Sequence, residues 1–177
     1  MRHAESGSSS GPRQRWAQLA GAAGVALWFG LAPTGTLAAT TCGVSTPGLA
    51  FGNYDVFNAA VTNGNATLTV TCTLTPPPGT DNESYTLTLS TGSSGSFVQR
   101  QMKSGTDTLN YNLYTSNAYS VVWGDGTGTT KKVTGSKRLT SGNPTQTNQH
   151  TVYGQIPALQ DAAVGSYLDN VTVTVTF

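Results

Sequence analysis

The stretch 169–177, DNVTVTVTF, sets four apolar residues in strict alternation with three threonines. An extended backbone turns successive side chains to opposite faces, so Val171, Val173, Val175 and Phe177 share one face while Thr172, Thr174 and Thr176 share the other. A strand this regular offers a row of main-chain N–H and C=O groups along each edge. Proteins blunt such edges with lysine, proline or a bulge, and this stretch carries neither residue. Something has to cover it, either another strand of the same chain or a strand from another polypeptide.

Working outward, a period of two recurs almost everywhere after residue 40. In ATLTVTCTL (66–74) Leu68, Val70, Cys72 and Leu74 fall on one face and threonines on the other. SYTLTLS (84–90) repeats the pattern with Tyr85, Leu87 and Leu89. LAFGNY (49–54), FVQRQM (97–102), TLNYNLY (108–114), YSVVW (119–123), HTVYGQI (150–156) and SYLDNVTVTVTF (166–177) are further strand candidates. Between them lie breakers such as TPPPGTDN, STGSSGS, WGDGTGTT and TSGNPTQTN. No segment shows a helical stripe. Short strands separated by frequent turn signals predict an all-β antiparallel sandwich.

The first residues read differently. Arg13 and Arg15 precede an apolar run from Trp16 to Ala32, followed by the small-residue stretch Thr36 to Ala39. That order of a basic region, an apolar region and a small-residue site predicts a signal peptide over 1–39 and a domain over 40–177. An uncleaved membrane anchor is the rival, since the run nears the ~17 residues that a spanning helix needs. Gln18, Gly21, Gly24 and Gly30 interrupt the run and favour the signal peptide.

Export decides how the two cysteines are read. In an oxidising compartment Cys42 and Cys72 are most simply one disulfide, worth roughly 3 to 4 kcal/mol by chain entropy. A reactive or metal-binding pair is the alternative, without CxxC spacing or further ligands to support it.

Charge points to no polyanionic partner. Residues 40–177 hold six basic and seven acidic side chains. Lys131, Lys132, Lys137 and Arg138 cluster among glycines and threonines, in what reads as a solvated loop rather than a nucleic-acid site. Catalysis is equally unsupported: His150 is the one histidine after residue 40, and a base needs a positioned partner. Asp125 in WGDGTG supplies one carboxylate where calcium takes six to eight oxygens, so Gly-Asp-Gly reads as a tight turn. The N-x-[ST] sequons at Asn65, Asn82 and Asn170 are expected by chance in so Asn- and Thr-rich a chain. Trp123, Asn143 and Tyr153 are candidates for surface contact on loops. No cofactor or metal is implied.

Taken together, TTCGVSTPGLAFGNYDV (40–56), GNATLTVTCT (64–73), YTLTLSTG (85–92), RQMKSGTDTLNYNLYT (100–115), WGDGT (123–127) and HTVYGQIPALQDAAVGSYLDNVTVTVTF (150–177) resemble the spore coat U domain family, which includes subunits of archaic chaperone-usher pili. The resemblance runs from Cys42 to Phe177. Its most specific parts are the Cys-Gly-Val-Ser opening with Phe-Gly-x-Tyr, the Leu-x-Tyr-Asn-Leu-Tyr strand and the closing Tyr-Gly-x-Ile-Pro to Val-Thr-Val segment.

The resemblance implies an Ig-like sandwich that lacks its final strand. A groove beside the C-terminal strand would be filled first by a periplasmic pilus chaperone and then, at the usher, by the N-terminal extension of a sister subunit. Val171, Val173, Val175 and Phe177 would line or border that groove. The protein would be a non-enzymatic surface or adhesive subunit, passing through the periplasm to the cell surface, with no membrane attachment once the signal is removed. Ala39, Thr40 and Thr41, the residues between the predicted cut and Cys42, span about 10 Å, too little to complete a neighbour's sheet. That departure from the donor-bearing pattern favours a terminal, tip-like position over a shaft. A self-contained spore-coat or cell-surface protein that does not polymerise is the alternative.

Overall fold

The computed structural model describes residues 38–75 and 79–177, and the predicted signal peptide falls outside them apart from Ala38 and Ala39. Eight strands follow in order: β1 (Ala39–Ser45), β2 (Thr62–Thr75), β3 (Thr80–Leu89), β4 (Arg100–Ser104), β5 (Asp107–Tyr114), β6 (Val133–Thr140), β7 (Thr145–Ile156) and β8 (Val173–Thr176). A 3-10 turn, Gly92–Ser94, follows β3. The strands form an antiparallel sandwich of a five-stranded sheet, β1-β2-β7-β5-β4, and a three-stranded sheet, β6-β3-β8.

The alternation in the sequence is what builds it. Leu68, Val70, Cys72 and Leu74 on β2 are buried against Tyr85, Leu87 and Leu89 on β3, while the intervening threonines face outward. Cys42 and Cys72 are directly opposed in the β1–β2 register and joined as a disulfide. The link ties the edge strand to the longest strand of its sheet.

Several expectations are revised. LAFGNY forms no strand, because Gly48 and Gly52 sit at φ +87° and +75°, outside what a ladder accepts. YSVVW reduces to two isolated bridges, at Val122 and Trp123, and the terminal segment to Val173–Thr176. The basic cluster is not simply a loop: Lys137 and Arg138 lie on β6, an edge strand, with Lys131 and Lys132 just ahead of it. Trp123 is no surface residue. It is fully buried and its indole N–H donates to the Leu87 carbonyl at 3.2 Å.

A charged side chain also sits in the interior. Arg100 is fully buried and donates to the Asn112 amide oxygen at 2.7 Å, to the Ser90 carbonyl at 2.7 and 3.0 Å and to the Trp123 carbonyl at 2.9 Å. Burial pulls its pKa below the ordinary value, with Tyr111 and Asp169 acting in the opposite direction. The planar fork of donors lets one arginine tie β4 to β5, to the segment after β3 and to the one ahead of β6.

Candidate functional site

Strand β8 pairs with β3 along one edge, Thr86 opposite Thr176 through Leu89 opposite Val173. The Ser90 N–H donates to the Thr172 carbonyl at 3.0 Å, which sets the parity of the ladder. The threonines are therefore the hydrogen-bonded partners of β3, and the N–H and C=O groups of Val171, Val173 and Val175 turn to the other edge. No strand among the described residues pairs with that edge. β1, at the border of the five-stranded sheet, is the element that comes near β8 across the gap.

Between the sheets at this edge lies a cleft of about 200 Å³. Its floor comes from Ala66 and Leu68 of β2, Val152 of β7, Tyr111 and Leu113 of β5 and Met102 of β4. Leu89, Val171 and Val173 form the wall on the three-stranded sheet. Val175 is partly buried against the core without lining the cleft, and Phe177 is half exposed at the end of the chain. Thus two of the four predicted groove residues line the cleft and two lie beyond it.

The mouth is shaped by residues read as a strand from sequence. Leu49 and Phe51 lie over Gly64 and Gly154 of β2 and β7, which face each other in the register. A Cβ on Gly154 would come within 2.7 Å of the Phe51 ring, and one on Gly64 within 2.8 Å of the Ala50 carbonyl oxygen. Glycine at both positions makes the seat for the loop. The Phe51 ring meets the Tyr111 ring edge to face at 5.7 Å.

One carboxylate lines the cleft. Asp169 accepts from the Tyr111 hydroxyl at 2.7 Å and from the N–H groups of Ser93 and Asn170 at 2.8 Å each. Burial, and then Asp169, push the Tyr111 hydroxyl well above its ordinary pKa, so it remains a donor. Neither Tyr111 nor Asp169 stood out in the sequence, since their partnership spans 58 positions.

The remaining candidates have structural partners. His150 points between the sheets, with its Nε2 2.8 Å from the Tyr85 hydroxyl, and burial lowers its pKa from 6.5. Asp125 accepts from the N–H and hydroxyl of Thr127 at 2.8 and 2.6 Å, closing the predicted turn, and these bonds lower its pKa. Asn65 and Asn82 are exposed on β2 and β3, and Asn143 and Asn170 are exposed in turns. Among the described residues no group of three His, Cys, Asp or Glu side chains gathers to hold a metal.

A family model described as the Spore Coat Protein U domain matches residues 31–174. The chain belongs to this family. No curated protein sequence matches this Spore Coat U chain. Among solved structures, it is similar to a chain in a chaperone–tip adhesion subunit pre-assembly complex from archaic chaperone-usher Csu pili of Acinetobacter baumannii, at 21% identity and a TM-score of 0.51. The match covers 78% of this chain and 40% of that one, so the Spore Coat U chain spans less than half the length of its structural neighbour. A chaperone–tip adhesin complex of CFA/I fimbriae is more distant, with 13% identity, a TM-score of 0.35 and coverage of 76% of this chain and 42% of that one. The first likeness is one of fold alone.

Proposed function

We propose that this chain is a non-enzymatic subunit of an archaic chaperone-usher pilus, exported to the cell surface, and that it accepts a strand in the cleft beside β8. The single observation that carries the reading is the coincidence of a β8 edge without a partner strand among the described residues and an apolar cleft reaching into the core. An incoming strand would bond to the free main-chain groups of Val171, Val173 and Val175 and set alternate side chains against Leu68, Leu89 and Val152. A periplasmic chaperone, then a sister subunit at the usher, would supply that strand.

Ala39, Thr40 and Thr41 are committed to β1 by their register with β2. Any donor segment of this chain would come from residues before Ala39. A mature terminus at Ala39 or Thr40 supports an acceptor at a terminal position, whereas a terminus many residues earlier supports a shaft subunit. N-terminal mapping of the exported protein distinguishes the two.

The decisive experiment appends a flexible linker and a sister subunit's donor segment after Phe177 and compares melting temperatures. The fused form should melt on the order of 10 °C higher or more, since each kcal/mol is worth a few degrees in a domain of this size. An unmodified monomer that is soluble and equally stable would overturn the acceptor role and leave a self-contained coat or surface protein.

A further inference from the structure

The outer face of the five-stranded sheet carries an aromatic cluster that the strand-acceptor reading does not use. Tyr114 of β5 and Tyr153 of β7 are register partners on that face. Tyr119, in the loop after β5, meets Tyr114 edge to face at 5.6 Å and Tyr153 at 6.4 Å. All three rings are partly exposed.

Tyr119 reaches this place in a left-handed backbone conformation, φ +49°. A bulky residue rarely adopts it, and it persists only where the surroundings impose it. Its N–H donates to the Ser116 carbonyl at 3.2 Å, and the Thr115 N–H to that of Val121 at 3.1 Å, so the loop closes tightly beneath the ring. A strained tyrosine is thus held out on the face between two others.

The surroundings are polar and uncharged. Asn65 is the register partner of Tyr153, and Gln155 donates to Asn63 at 3.1 Å on the same face. Outward positions of β1, β2, β7 and β5 hold no acidic or basic side chain and are mostly threonine, asparagine and glutamine; the one outward charge of this sheet, Lys103 on β4, is the register partner of Thr108, at the opposite end of β5 from Tyr114. The three-stranded sheet is also rich in outward hydroxyls, but its outer face has no aromatic ring and includes Arg138. The rings, not the threonine content, single out one face.

Aromatic rings beside neutral amides and hydroxyls match one ligand chemistry. A sugar ring has apolar C–H faces and a rim of hydroxyls, so it stacks on tyrosine while bonding to amide and hydroxyl groups. An anionic polymer would need basic partners beside the rings, and the one lysine of this face, Lys103, lies at the far end of β5 from them. We propose that the face around Tyr114, Tyr119 and Tyr153 binds a neutral polysaccharide, with the rings as its platform and the polar rows of β2 and β7 continuing the contact along the polymer.

The test passes the purified exported chain over microcrystalline cellulose, chitin and cross-linked dextran, with alginate and polystyrene beads alongside. Retention on at least one neutral polysaccharide is expected, competed by its soluble oligosaccharide and insensitive to molar salt. Tyr153→Ala and Tyr119→Gly should each weaken it by about tenfold, the size of one lost stacking contact. Glycine at 119 accepts the positive φ, so this variant removes the ring without adding backbone strain. Tyr153→Phe, which keeps the ring, should retain most of the binding. Circular dichroism and melting of each variant confirm that the sandwich is intact. No retention on any of the three neutral matrices, equal retention on polystyrene that sugar does not compete, or binding unchanged when both rings are removed would each overturn the proposal.

Discussion

The two edges of the three-stranded sheet are treated in opposite ways. β6 has one free edge and carries Lys137 and Arg138, with Lys131 and Lys132 leading into it. β8, four residues long and on the other side of β3, presents only valine and threonine. Charge on an edge strand must be desolvated before another strand can pair, so β6 is built to resist recruitment, whereas β8, on the proposed acceptor reading, admits it. One sheet thus separates a closed border from an open one.

Moving the guard breaks this contrast most severely. Val173→Lys replaces a packed valine on the apolar cleft wall with an ammonium; the unfolding free energy should fall by about 2 to 4 kcal/mol in urea titrations. The gain in melting temperature from an appended donor should vanish with it. A lysine at 173 tolerated without loss on either measure would mean that this edge is not an acceptor.

Next comes a change that leaves β8 alone. Gly154→Val would drive a side chain into Phe51 and lift the loop from the cleft mouth, costing about 1 to 3 kcal/mol. Donor capture should weaken while the β3–β8 pairing, followed by amide exchange of Thr86 and Thr88, stays protected.

Stripping the guard from β6 has a smaller effect on the fold. Lys137→Val with Arg138→Val should alter stability by no more than about 1 kcal/mol, because Arg138 is exposed and Lys137, opposite Glu83, is only partly buried at an edge. Its signature is association, visible as dimers or larger species by sedimentation. If the double variant stays monomeric while the parent self-associates through β8, the charges are not what keeps β6 closed.

The smallest expected effect is that of pH. His150 has a folded-state pKa lowered by burial, so the unfolded chain binds the proton more readily. Stability from this residue is present above pH 6.5 and is lost as pH falls below it, the reverse of what a histidine with an acidic partner gives. His150→Gln should flatten the dependence of the urea midpoint on pH in that window.

Much of the sandwich was legible because alternation is a local property. β2, β3, β5 and β7 each announce themselves within a few residues, and the cysteine pairing followed from export and count. The cleft mouth was not legible, because Leu49 and Phe51 find their seat on glycines from two other strands. β6 was concealed by Lys137 and Arg138 and by Gly135, which reads as a breaker. A Cβ there would collide with the Tyr85 hydroxyl, so the glycine is the condition for that strand to lie over the tyrosine. Arg100 gave no signal either, since three of its four hydrogen bonds go to main-chain carbonyls, which every residue supplies. Of the terminal stretch, the apolar face was evident, but its division between cleft and chain end depends on where β3 stops.

The disulfide has a mechanical meaning as well. Tension entering through residues ahead of Cys42 reaches the sulfur bridge after only three residues of β1, Ala39 to Thr41, and crosses covalently into β2 at Cys72. Residues 43–71 then form a loop outside the load path, and the mouth residues Leu49 and Phe51 lie within it. A pull that would otherwise peel β1 from its neighbour is confined to its first few pairs, and the shape of the cleft is insulated from the force the chain carries.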